Sequence, residues 1–225
     1  MISSLTELFE NLESPIYLLD SLITLDSFCP IDLSVYNNEL DNIDITNPDK
    51  CQEYIDTVLA KNKAKVGYGG YLEKRNLYSD KSSFSDQTAY RNIHLGVDFW
   101  TTAGTKVITP LKGNVHSFKN NNVFGDYGPT IILQHEIRGF RFHTLYGHLS
   151  IESIETIQIG QEFEKGSVLA TLGTPDINVN YAPHLHFQII IDMEGMKGDY
   201  PGVCSVDKLK FYAQNCPDPN ILLNF

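Results

Sequence analysis

From residue 93 onward the chain breaks into short apolar runs separated by glycine, and this rhythm limits the fold more than any other feature. Residues 105–118 read as two extended segments meeting at Pro110–Gly113. Residues 129–136 and 140–146 read as a strand pair turning at Arg138–Gly139, and residues 184–191 (HLHFQIII) are β-branched and aromatic. Further short runs lie between Gly160, Gly166 and Gly173. Strands this short at this spacing predict a mainly β architecture, a sandwich or barrel-like antiparallel sheet. No internal repeat of solenoid length interrupts it.

The N-terminal quarter has another character. Residues 1–60 hold twelve Asp and Glu against the single Lys50, so they carry the whole net charge of −11 while the rest is balanced. Leu5, Leu8, Phe9, Leu12, Ile16, Leu19 and Ile23 recur at helical spacing, with Pro15 dividing the stripe. Residues 51–60 are expected to form a short helix, residues 37–50 a loop, and residues 66–86, with Gly67, Gly69 and Gly70, an irregular connection. The acidic segment is expected either to dock beside a functional cleft and narrow it, or to pack on a distant face.

Hydrophobic content of 42% and charged content of 20% describe a globular chain and exclude global disorder. The acidic balance argues against a nucleic-acid partner or an anionic membrane surface. Met1–Asp20 has no Lys or Arg, and no run approaches the roughly 18 apolar residues of a spanning helix. A cytoplasmic location is therefore expected, without a membrane span. Cys29, Cys51, Cys204 and Cys216 have no metal-site spacing and read as reduced thiols. A Cys204–Cys216 disulfide would require export by another route.

Three histidine motifs fall within the β-region. In His94-Leu-Gly-Val-Asp98 an extended backbone would separate the two side chains by about 13 Å. The chain must bend for them to meet at one metal, and Gly96 is the residue best able to allow it. In His184-Leu-His186 the two imidazoles share one face of a strand. Tyr146-Gly-His148 ends a strand, where a loop can present the imidazole to a groove. His116, His135 and His143 read instead as hydrogen-bonded histidines of half-buried strands. Glu162 and Glu164 read as a solvated strand face.

The order HxxxD, YGHL, PHLHF resembles the M23 metallopeptidases, the lysostaphin-type endopeptidases. GTKVITPLKGNV and GQEFEKGSVLATLG are similar to the punctuation of their β-scaffold. The resemblance implies an M23-like peptidase domain over residues 91–191, preceded by a partly helical acidic segment (1–60) and a connection (61–90). A C-terminal extension (192–225) would pack on the domain. It further implies that His94, Asp98 and His186 bind one Zn2+, that His148 and His184 are catalytic, and that the substrate is a peptide or peptidoglycan-like amide. Spacing leaves open which histidine is the base, and the sequence leaves open the oligomeric state. Two other readings compete. A non-catalytic zinc-binding or regulatory module on the same scaffold is opposed by the complete five-residue set. A phosphocarrier with two facing histidines leaves Asp98 unexplained.

Overall fold

In the computed structural model, residues 2–9, 12, 16–77, 90–178 and 181–223 are described. In chain order they form α1 (Ile2–Phe9), β1 (Phe28–Pro30), α2 (Pro48–Asn62), β2 (Val66–Gly69), β3 (Ile93–His94), β4 (Val97–Trp100), β5 (Lys106–Ile108) and β6 (Gly113–Asn121). There follow β7 (Gly128–Ile137), β8 (Phe140–Gly147), α3 (Glu152–Glu155), β9 (Glu162–Phe163), β10 (Val168–Thr171) and β11 (His184–Ile190). β12 (Val203–Cys204), α4 (Leu209–Asn215) and α5 (Asn220–Leu223) complete the chain. The fold is mainly β.

One large sheet has the order β1-β2-β4-β11-β8-β7-β6-β9, antiparallel throughout except for the parallel β1–β2 pair. Two ribbons, β5–β10 and β3–β12, flank it. Alternation along the central strands separates two chemistries. Phe99, Leu185, Phe187 and Ile189 point into the main core, where Val107, Leu169 and Ala170 of the β5–β10 ribbon cover them. Asp98, Trp100, His184, His186 and Gln188 alternate with them and take the opposite face, which carries the site.

The acidic region divides between these faces. Leu5 and Phe9 of α1 enter the main core, Phe9 edge-on to Phe142 at 5.4 Å. The helical stripe does not continue to residue 23, and Pro15 lies outside the described residues. Residues 18–20 are extended instead, with Ile108 N–H donating to the Leu18 carbonyl and Asp20 N–H to the Lys106 carbonyl, so they extend the β5 edge. Phe28 still meets Phe99 of the main core edge-on, and the apolar side chains from Ile31 to Ile55 lie on the site side. There Ile31, Leu33, Ile45 and the α2 residues Cys51, Tyr54 and Ile55 form a second apolar cluster with Trp100, Tyr181 and Ala182. α2 begins at a sequence-legible cap, the Asn47 side chain accepting from Asp49 and Lys50 N–H.

Residues 66–69, expected to be irregular, form β2. The glycines there mark close approach rather than a turn. A Cβ on Gly67 would sit 2.1 Å from Ile31 Cδ1, and one on Gly69 2.4 Å from the Ile31 carbonyl oxygen. Among the described residues no helix is long and apolar enough to cross a membrane. All four cysteines, Cys204 and Cys216 included, are free and buried.

His135 illustrates how the sheet holds a neutral imidazole. Its Nδ1 lies 2.8 Å from the Lys112 carbonyl, its Nε2 2.7 Å from Thr144 Oγ1, and its ring stacks on Phe142. Burial pushes its pKa down to about 4, against about 6.5 in an unfolded chain. Between those values the unfolded chain binds the proton first, so stability falls as pH drops through that window, by about 3 kcal/mol at most from this residue. Thermal melts from pH 7 to pH 4 should flatten in His135→Gln relative to the parent. Parallel curves would remove His135 from the acid response.

Candidate metal centre and catalytic cleft

β4 and β11 pair so that Asp98 lies directly opposite His186 and Trp100 opposite His184. His94 reaches the same place because the chain turns between β3, which pairs with β12, and β4, which pairs with β11. His94 Nε2, Asp98 Oδ1 and His186 Nδ1 then form a small triangle with sides of 2.9, 3.0 and 3.2 Å. All three residues are buried.

The outer atoms of this triad decide what its inner atoms can do. His94 Nδ1 lies 2.9 Å from the Gly70 carbonyl, which can only accept, so Nδ1 carries the proton and Nε2 presents a lone pair. His186 Nε2 lies 2.9 Å from Gln188 Oε1. The Gln188 amide nitrogen donates to the Pro201 carbonyl at 3.2 Å and to Cys216 Sγ at 3.1 Å, which fixes the amide with its oxygen toward His186. His186 Nδ1 therefore also presents a lone pair. Asp98 Oδ2 accepts from Arg75 Nη1 at 2.6 Å, leaving Oδ1 for the triad. Three electron-pair donors face one another in a buried space, an arrangement that requires a cation. A tetrahedral zinc with bonds of 2.0–2.1 Å needs ligand separations of about 3.3 Å, close to those found, and a mixed N/O set suits it. The residues fit the metal.

Burial would raise the Asp98 pKa, but the electrostatic influence of His94 and of Arg75 outweighs it and holds the carboxyl well below its usual range. His94 is pushed down to about 4, chiefly by burial and then by Arg75.

Gly96 contributes room as well as a bend. A Cβ there would lie 2.7 Å from the His186 ring and from the Phe187 carbonyl oxygen. Gly96→Ala should displace the His186 ring and weaken zinc binding by about 10–100-fold, the scale of disturbed metal support. Competition against a chromophoric chelator reads this directly, and parental affinity would show that the ring position is dispensable.

His148 and His184 stand beside the triad, ring centroids 4.0 Å apart. His184 Nδ1 donates to the Ala182 carbonyl at 2.7 Å, and its Nε2 faces Asp98 Oδ1 at 3.9 Å. Its ring stacks on Trp100 and meets the edge of Tyr181. His148 follows β8 at φ +62°, held by its N–H to the Tyr127 carbonyl and by Gly173 N–H donating to its own carbonyl. Among the described residues its buried Nδ1 has no hydrogen-bond partner. Burial lowers both pKa values, that of His148 strongly, with His184 adding to the effect there. Both rings are neutral at pH 7.

The five residues line one cleft of about 510 Å3, with Arg75, Arg91, Tyr127 and Tyr181 also in its walls. Tyr127 packs on His186 at 5.0 Å, in space left by Gly147, whose Cβ would lie 2.7 Å from the Tyr127 ring. Sequence reasoning missed Arg75, Gly70, Gln188, Tyr127 and Tyr181. Only Gln188 carried a signal, being the next residue on the same strand face as His184 and His186. The other histidines stand apart: His116 Nδ1 meets Ser117 Oγ at 2.8 Å, and the His143 ring meets that of His116 edge-on at 4.9 Å. Glu164 pairs with Lys112 in solvent at 2.6 Å, with Glu162 at 3.9 Å.

Residues 92–197 match the sequence profile of peptidase family M23. A Haemophilus influenzae protein named an uncharacterized metalloprotease is 30% identical over 128 residues, covering 54% of this chain but 25% of its own length. The chain thus spans about a quarter of that relative. Among solved structures, a zinc-containing peptidase from Vibrio cholerae is 26% identical, with a TM-score of 0.36 over 44% of this chain and 27% of that one. The catalytic domain of lysostaphin from Staphylococcus simulans is 24% identical, with a TM-score of 0.41 over 67% of this chain and 93% of that one. The four clustered histidines and Asp98 all lie within the segment that matches peptidase family M23.

Proposed function

We propose that this protein is a zinc-dependent metalloendopeptidase that hydrolyses a peptide or peptidoglycan-like amide bond, with His94, Asp98 and His186 as metal ligands and His148 and His184 as catalytic residues. The observation that carries the reading is the convergence of three outward-anchored ligand atoms beside two neutral imidazoles in one cleft. Bound there, zinc would polarise the scissile carbonyl and acidify a water molecule.

The chain supplies the proton handling. His184, its Nδ1–H committed to Ala182, offers Nε2 as the proton acceptor next to the triad. His148, in contact with His184, is placed to hydrogen-bond the developing oxyanion and to pass a proton to the leaving amine. Tyr127, Tyr181 and Trp100 pack against these rings and keep them dry and neutral.

Purified protein should contain one zinc per chain and hydrolyse members of a peptide panel that includes glycine and D-alanine bonds. A chelator should abolish hydrolysis and added zinc restore it. A zinc-loaded protein inactive across the panel would favour the non-catalytic module. A protein without affinity for zinc would sink the reading altogether.

A further inference from the structure

Asp98 uses only one oxygen toward the triad. The other is gripped by Arg75, whose side chain is completely buried. Arg75 belongs to the strap after β2, outside the segment that matches family M23. Its Nε donates to Glu73 Oε2 at 2.5 Å, and its guanidinium lies 5.6 Å from the centroid of Trp100, the ring that stacks on His184. Glu73 in turn accepts from Leu33 N–H through Oε1 at 3.1 Å. Val35 N–H donates to the Lys74 carbonyl, pinning the same strap to the N-terminal region. The strap also provides the Gly70 carbonyl that orients His94. Two of the three triad residues are thus aimed by residues 70–75, and residues 33–35 hold that strap.

A buried guanidinium is tolerated only when its charge is matched, and among the described residues two carboxylates match it at two different nitrogens. This geometry has a specific consequence for the metal. With Oδ2 occupied, Asp98 can bind through Oδ1 alone, which preserves a three-ligand site with a position left for water. With Oδ2 free, the carboxylate can chelate through both oxygens and crowd that position.

We propose, building on the metallopeptidase reading, that Arg75 is a positioning residue that keeps Asp98 a single-oxygen ligand, aimed through Glu73 by the acidic N-terminal region. That region is then part of the metal site, not an appendage to the M23 domain.

The test uses the full chain and reads metal binding, not hydrolysis. Zinc affinity is measured by chelator competition, coordination by the absorption of the cobalt(II)-loaded protein, and folding by circular dichroism. Arg75→Met should weaken zinc binding by about 10–100-fold. It should also dim the cobalt bands as a four-coordinate ion becomes five-coordinate, a change that loosened packing alone does not produce. Arg75→Lys, which keeps the charge but cannot grip both carboxylates, should recover part of the affinity. A folded Arg75→Met chain with parental zinc affinity and cobalt spectrum overturns the proposal. Should that variant not fold, Glu73→Gln takes its place. It keeps Arg75 but removes its charged anchor, and is expected to weaken zinc several-fold and alter the cobalt spectrum. Parental values in both measurements overturn the proposal equally. A parent chain that takes up neither zinc nor cobalt overturns the metallopeptidase reading instead.

Discussion

His186→Ala should leave the protein folded and without stoichiometric zinc. The substitution removes one of the three proposed protein donors. It leaves Asp98 and His94, two ligands that are anchored from outside but cannot close a tetrahedral site between them. The side chain sits at the centre of β11, where Leu185 and Phe187 carry the packing on the opposite face, so the core keeps its contacts. Metal analysis after dialysis should find well under one zinc per chain, and hydrolysis should fall to background. Full zinc retention in this variant would refute the ligand assignment.

His184→Ala should behave in the opposite way, keeping zinc while losing turnover. Its imidazole is 3.9 Å from Asp98 Oδ1 and makes its own fixed hydrogen bond to Ala182, so none of the three ligands depends on it. General acid–base catalysis contributes about 10²–10⁴-fold, and the rate should fall within that range. Turnover and metal content measured on the same preparation separate the two roles. A variant that hydrolyses a verified substrate at the parental rate would exclude His184 as the base.

The parts of the site visible in the sequence share one property: their neighbours in space are near in sequence or repeat with a strand's period. His184 and His186 lie two residues apart in an apolar strand, and β11 delivers both to one face. The β7–β8 turn at Arg138–Gly139 was equally readable, both residues taking positive φ. Gln188 extends the same alternation and could have been read from it. Arg75 could not. Its partner Asp98 is 23 residues away, and nothing in the stretch around it distinguishes a buried guanidinium from a solvated one. The parallel pairing of β1 with β2 across α2 was hidden for a related reason. Gly67 and Gly69 serve both turns and close backbone contacts, and only the position of Ile31 tells which applies.

His148 holds a backbone conformation that suits glycine better than any side chain with a Cβ. On the role proposed for this residue, catalysis and backbone relaxation therefore pull in opposite directions at one position. His148→Gly would release the strained backbone but also delete a ring packed on Tyr127, Tyr181 and His184. His148→Ala deletes the same ring and keeps the strain, so it should melt below the glycine variant, and the gap between the two midpoints is the share owed to the backbone alone.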